Sequence, residues 1–326
     1  MSKLDKTDLK LIAELENDSR QTASQIAKKL GTSQQVVSYR ISSLQERKVI
    51  GGFYTVIDFS KLGYTSYRTM IRLSSITEGK LNEITTYLTK HPNILWLVEC
   101  GGRYDLIINF LAKNVHQYSK MFKEFQNKFP NQIQNYDILT TIEGNYFGRD
   151  YFTSKTRKLA SSSKFGSELS STKRDETDLE ILNQISENAK MNSVEIAEKI
   201  NVSPNTVISK IKNMKKSGII QGFKPLIHLE ETPFSSYKAT VKLQNITEKK
   251  EKEMIEYLHP NAHILGIIKL IGAWGLEIEF EVETKEQMLE LTRDFRDKFE
   301  SIIKEFEVIP LFHEYKYNFF PRDLLD

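Results

Sequence analysis

From Ser33 to Arg40 the chain reads Ser-Gln-Gln-Val-Val-Ser-Tyr-Arg. Apolar residues Val36, Val37, Ile41 and Leu44 recur at helical spacing, which leaves Gln34, Gln35, Ser38, Tyr39 and Arg40 largely outward. Amides and hydroxyls at the start of such a helix can hydrogen-bond base edges, while Arg and Lys further along meet phosphates. A second stretch repeats this physics in different letters. Ser203 suits a cap and Pro204 the first helical position, and Val207, Ile211 and Met214 face inward. Asn205, Thr206, Ser209 and Lys210 then point out, with Lys212, Lys215 and Lys216 beyond. Ser33, Gln34, Gln35, Ser38, Tyr39, Arg40, Ser203, Asn205, Thr206, Ser209, Lys210 and Lys212 are therefore the candidate contacts to double-stranded DNA.

Each candidate helix needs a frame. Leu4, Leu11, Ile12 and Leu15 sit at helical spacing behind Asp5 and Asp8, acidic residues suited to a helix N-terminus. A second helix follows from Thr22 through Leu30 with Ile26, Ala27 and Leu30 on one face; Gly31 can end it in the left-handed conformation, and Ser33 caps the third helix. Three short helices with a tight break before the last form a helix-turn-helix. The runs "KVIGGFYTVID" and "GIIQGFKPLIH" after each third helix read as a strand pair with a glycine turn, that is, a wing.

Sliding the sequence against itself by 170 positions pairs Asp5, Thr7, Asp8 and Leu9 with Asp175, Thr177, Asp178 and Leu179. With the same offset Gly102, Leu106, Ile108, Phe110 and Phe129 fall on Gly272, Leu276, Ile278, Phe280 and Phe299. The period is too long for a solenoid, so the chain reads as a duplicated two-domain module. Expected boundaries are 1–52 and 174–222 for the winged helix-turn-helices, 53–152 and 223–326 for the mixed domains, and 153–173 for a flexible basic linker.

In the mixed remainder, "TSYRTMIRL", "ILWLVECG", "YDLIINFLA" and "IQNYDILTTIEG" read as strands, and "EGKLNEITTYLTKH" and "VHQYSKMFKEFQNKF" as helices. The order βαββαβ is the ferredoxin-like arrangement, with both helices on one face of an antiparallel sheet, so the fold class is α+β. The other sheet face is expected to be apolar and covered by the second copy. In that copy Glu277, Glu279, Glu281 and Glu283 alternate with Leu276, Ile278, Phe280 and Val282, which reads as a half-exposed strand with an acidic face.

Helix-turn-helix, wing, then a βαββαβ domain with "GGRYDL" between its middle strands resembles the Lrp/AsnC (feast/famine) transcriptional regulators, over nearly the whole chain and twice. The resemblance implies a RAM-type ligand and dimerisation domain in each copy, two protomers fused in tandem as an intrachain pseudo-dimer, and room for a further homo-oligomer. It also implies an amino acid or related small effector near the glycine-containing turn, at Gly102, Tyr104 and Asp105, with Asp105 able to meet an α-ammonium group. Trp274 and Gly275 replace Tyr104 and Asp105 in the second copy, which leaves the first copy as the sensing one.

A formal charge of +3 does not by itself imply nucleic acid; the local blocks do. Six basic residues face one acidic residue between Thr153 and Arg174, and five lysines face no carboxylate between Lys199 and Lys216. No apolar run approaches the roughly 20 residues that span a bilayer, and no secretory signal opens the chain, so a cytoplasmic protein without membrane partners is expected. Cys100 is the only cysteine and suits a buried strand end; His259 and His263 are separated by a helix-breaking Pro260. No catalytic, cofactor or metal site is expected. One enzyme class, the siroheme decarboxylases, resembles paired Lrp-type modules whose histidines and arginines engage a tetrapyrrole, but the turn here reads Gly-Arg-Tyr-Asp without a nearby histidine. A third reading, a nucleoid-type protein with little sequence choice, would show steep salt dependence without site discrimination.

Overall fold

Asp5 and Asp8 start the first helix as a reciprocal pair, each carboxylate accepting the other's backbone N–H, and Asp175 and Asp178 repeat the motif in the second copy. The computed structural model describes residues 4–154, 156–157, 162–170 and 172–325. Helices α1 (Lys6–Asn17), α2 (Ala23–Leu30) and α3 (Gln34–Glu46) form the first helix-turn-helix. Gly31 ends α2 at φ 66°, a conformation that an L side chain resists, and Asn201 takes the same region (φ 54°) at the equivalent position.

After α3 come β1 (Ile50–Ile57), β2 (Thr65–Leu73), α4 (Glu78–Lys90), β3 (Ile94–Cys100), β4 (Leu106–Ala112), α5 (Val115–Lys128), β5 (Ile133–Tyr146) and the short β6 (Ser163–Phe165). The second copy contributes α6 (Glu176–Glu187), α7 (Ser193–Lys199), α8 (Pro204–Lys216), β7 (Ile220–Ile227), β8 (Ser235–Leu243), α9 (Glu248–Leu258), β9 (Ile264–Ile271), β10 (Leu276–Val282), α10 (Lys285–Phe299) and β11 (Ile303–Tyr317). Each βαββαβ unit packs its helices on one sheet face: Ile84, Leu88, Phe122 and Phe125 over Ile71, Ile108 and Phe110, and Met254, Leu258 and Phe295 over Val241, Ile278 and Phe280.

The two sheets join at both edges. The first part of β5 pairs with β2, and from Thr140 onward it pairs with β9 of the other copy; β11 likewise passes from β8 to β3 at Leu311. The ring β2-β4-β3-β11-β8-β10-β9-β5 closes on itself, and β6 adds to the end of β5. Closure leaves the eight strands without a free edge.

Three expectations are corrected. First, neither copy makes a hairpin wing. Each supplies one strand, and β1 pairs antiparallel with β7. Gly51 lies inside β1 because the His228 ring of the other copy occupies the space a Cβ would need, 1.9 Å away. Second, the face between the sheets is not uniformly apolar, and the acidic face of β10 is not solvated. Glu277 and Glu281 are buried, Glu277 in ion pairs with Arg68 and with Lys238 (2.6 Å), Glu281 with Arg149 (2.9 Å). Lys238 also meets Glu279 at 2.8 Å. Alternation reports only that two faces differ; closure put the polar face inside.

Third, the 153–173 segment is laid along the fold wherever it is described. Arg157 donates to the carbonyls of His259 and Asn261 (both 2.9 Å) and lies 4.1 Å from the Phe147 ring centre. Gly166 N–H reaches Asp58 (3.1 Å) and the Arg174 guanidinium the Leu62 carbonyl (3.1 Å). Of the six basic residues in that block, Arg157 and Arg174 are thus spent on backbone carbonyls. Lys155 and Lys158 of that block lie outside the described residues.

Candidate nucleic-acid interface and barrel pockets

The third helices carry their polar residues outward, as their inward registers require. Val37, Ile41 and Leu44 of α3 and Val207, Ile211 and Met214 of α8 are buried. Gln34, Gln35, Ser38 and Tyr39 are exposed, Tyr39 to 74%, and so are Asn205, Ser209 and Lys212. Ser33 caps the Val36 N–H (3.2 Å) and Ser203 the Thr206 N–H (3.1 Å), with the Ser203 and Thr206 hydroxyls 2.8 Å apart. Val36, expected inward, is exposed, because Val37, Ile41 and Leu44 already fill the i, i+4, i+7 face. Ile208 is exposed too, where Ser38 stands in the first copy. Apolar side chains on such a face suit thymine methyl groups; the inward assignment hides Val36, and in the sequence reading Ile208 is assigned to neither face.

Arg40 and Lys210 occupy equivalent positions and make equivalent bonds. Arg40 meets Asp5 (2.8 Å) and Asp8 (2.7 Å), and Lys210 meets Asp175 and Asp178, the latter at 3.2 Å. The Asp8 amide and the Arg40 guanidinium hold the Asp5 carboxyl below its ordinary value. Both cations therefore tie a third helix to the start of its first helix, so each is engaged within its own module.

The two helix-turn-helices lean on each other's strands. Ser19 N–H donates to the Phe223 carbonyl and Ala189 N–H to that of Phe53, both at 2.9 Å. Arg20 donates to Ala189 (2.6 Å) and Met191 (2.9 Å), and the Thr55 hydroxyl to Ile185 (2.6 Å). These cross-copy bonds and the β1–β7 pair make one platform from which α3 and α8 project.

Of the candidate effector residues, Gly102 and Asp105 meet at Arg72, and Tyr104 stands apart from them. Gly102 turns at φ 84° and gives its carbonyl to Arg72 (2.9 Å). Asp105 accepts from the Leu73 N–H (2.7 Å) and from Arg72 (3.1 Å), lining a groove of about 710 Å³ with Ser74, Glu99 and Gln134. Tyr104 is buried on the other side, donating to Asp137 (2.5 Å) and accepting from Trp274 (3.1 Å). Cys100 is buried, which pushes its thiol pKa up, as expected of a packing residue. His263 donates its Nδ1–H to the Glu281 carbonyl (2.7 Å), and among the described residues no three His, Cys, Asp or Glu are grouped to hold a metal.

A second cavity, about 270 Å³, lies inside the barrel under β7. Tyr54, Tyr146 and Tyr317 line it together with Glu279, Glu281, Glu314 and Arg149, and His228, Glu230 and His313 stand with them. Reading the β10 glutamates as solvated concealed this site; their alternation with large apolar residues was its one sequence signal.

Residues 4–45 match the family described as AsnC-type helix-turn-helix domain, and residues 174–221 match one described as winged helix-turn-helix DNA-binding. The chain is similar to the HTH-type transcriptional regulator FL11 of Pyrococcus horikoshii, 33% identical over 111 residues, 34% of this chain and 72% of that one. An uncharacterized HTH-type transcriptional regulator of Pyrococcus abyssi is 30% identical over 135 residues, 40% of this chain and 88% of that one. Among solved structures, the siroheme decarboxylase NirDL aligns over 96% of this chain and 93% of its own with a TM-score of 0.61 at 12% identity, a likeness of fold. Among the described residues no helix is long and apolar enough to cross a membrane.

Proposed function

Since the chain belongs to the Lrp/AsnC family of transcriptional regulators, we propose that it is a cytoplasmic, sequence-specific DNA-binding regulator whose two halves act as an intrachain pseudo-dimer. The observation that carries this reading is the pair of exposed, polar third helices on one cross-bonded platform. The two enter successive major grooves about one turn, roughly 34 Å, apart. Gln34-Gln35-Ser38-Tyr39 differs from Pro204-Asn205-Ile208-Ser209 at the equivalent positions, so the half-sites differ and the operator is asymmetric. Selection of bound duplexes from random DNA tests this: two unlike half-sites support it, and a perfect palindrome would sink it in favour of dimers of whole chains using like helices.

An amino acid or related effector belongs to this reading at the Asp105 groove. Arg72 and the Leu73 amide take one bond on each Asp105 oxygen, so an α-ammonium group there would share the carboxylate with Arg72. Titration of the DNA complex with the common amino acids, with Asp105→Asn alongside, tests it; no shift in DNA affinity with any of them would remove the effector from the proposal. Exposed apolar residues on the barrel surface, Ile271 (66%) and Phe312 (58%) among them, favour assembly of more than one chain. Light scattering reads the mass directly, and a strictly single-chain particle at micromolar concentration counts against assembly.

The likeness to NirDL over the whole chain favours a second reading as a tetrapyrrole-processing enzyme. The barrel cavity does not suit it. About 270 Å³ lies below the roughly 300 Å³ at which drug-sized ligand pockets begin. Four carboxylates line it, the wrong sign for a macrocycle that carries carboxylates of its own. Titration with an iron porphyrin bearing several carboxylates should leave its absorption unchanged; a saturable shift would restore the enzyme reading.

A further inference from the structure

The charged groups in the barrel and at the α1–β7 contact beside it do not balance. Four cations, Arg68, Lys238, Arg149 and Lys224, are paired with four carboxylates, Glu277, Glu279, Glu281 and Glu16. Glu314 is the fifth carboxylate. It accepts a hydrogen bond from the Trp96 indole at 2.5 Å, and among the described residues no Lys or Arg forms an ion pair with it. It lines the 270 Å³ cavity, which three tyrosine rings, Tyr54, Tyr146 and Tyr317, also line. A carboxyl group in such a place is short of one positive charge, and burial pushes it up to about 7.

We propose that this cavity is a binding site for a small organic cation, a primary amine whose ammonium group pairs with Glu314 and lies against the tyrosine rings. The ammonium supplies the missing charge, and the ring faces attract it through their quadrupoles. An anion would enter against Glu279, Glu281 and Glu314 together, and a neutral molecule would leave the imbalance in place. The cavity holds a chain of a few carbons, and β7, which forms part of the platform under α3 and α8, is one of its walls through Pro225, Leu226 and Ile227. Cation binding in this cavity does not depend on DNA binding, so the two can fail separately.

The test is calorimetric titration of the full chain with 1,4-diaminobutane at pH 8, with glutarate as the anionic counterpart, and with Trp96 fluorescence followed in a Trp274→Phe background. The expected result is one saturable diamine site per chain, a change in Trp96 emission on binding, no glutarate binding, and at least a tenfold weaker diamine affinity in Glu314→Gln with partial retention in Glu314→Asp. Because Glu314→Gln removes a lone buried charge, the variant folds, and its circular dichroism verifies that before titration. Equal affinity in parent and Glu314→Gln, displacement by glutarate, or no binding at millimolar diamine would each overturn the proposal.

Discussion

The Trp274 indole N–H donates to the Tyr104 hydroxyl at 3.1 Å, joining two residues that occupy the same position, 170 apart, in the two copies. Both are buried, and Tyr104 passes the chain on by donating to Asp137 at 2.5 Å. A contact between equivalent positions marks where a two-fold axis would run in a dimer of identical modules. Here one side has diverged to a pure donor and the other kept an acceptor, so the bond has a direction that a symmetric pair would lack.

Tyr104→Phe should therefore cost about 1 to 3 kcal/mol, since it strands the indole N–H and takes the donor from Asp137. Denaturant unfolding of Tyr104→Phe, Trp274→Phe and the double variant should show a coupling of at least about 0.5 kcal/mol. Additive losses would mean the bond contributes nothing of its own.

Glu277 holds Arg68 and Lys238 at once inside the barrel, and Arg68 also reaches Asn109 at 2.8 Å. Burial draws Lys238 down to about 8 and Arg68 to about 10 despite their partners, so neither cation tolerates losing one. Glu277→Gln should destabilise by roughly 3 to 5 kcal/mol, the range for breaking a buried pair from one side. Thermal melts read this, and a change under 1 kcal/mol would mean that water reaches the network.

Glu314 gives the fold a pH dependence of predictable sign. Its carboxyl titrates near 7 in the folded chain, against roughly 4.3 when unfolded, so between those values the folded chain binds more protons. Stability contributed by this group is full below about pH 4 and is lost as pH rises to 7. Glu314→Gln should match the parent near pH 4 and exceed it by about 1 to 3 kcal/mol at pH 8. Urea unfolding across that range measures it; a gain that does not vary with pH would trace to packing instead.

Arg40 and Gln35 should separate support from reading. Arg40→Ala unties α3 from Asp5 and Asp8, costs about 1 kcal/mol of stability, and weakens binding to all duplexes alike. Gln35→Ala should leave stability within about 0.5 kcal/mol and lose about 1 to 3 kcal/mol of discrimination at one base pair. Anisotropy on operator and scrambled duplexes distinguishes the two patterns, and identical profiles for the variants would contradict the division.

How much of this was legible in the chain follows from the range of each interaction. The capping pairs Asp5 with Asp8 and Asp175 with Asp178, the break at Gly31, and the outward set Gln34, Gln35, Ser38 and Tyr39 rest on neighbours within one or two turns, and the residue pattern by itself determined them. So did the duplication, because an offset of 170 needs no coordinates. What the tertiary structure alone decided concerns partners far away in sequence. Period-2 alternation in Leu276 to Val282 announces two unlike faces but not which is wet, and only closure of the ring placed Glu277 and Glu281 against Arg68 and Arg149, over 130 residues away. The glycines of β1 resembled a turn, since nothing local reveals that His228 of the other copy fills the space above Gly51. Arg40 and Lys210 looked free to meet phosphate for the same reason: the carboxylates that hold them lie 32 to 35 residues upstream, beyond the reach of helical periodicity.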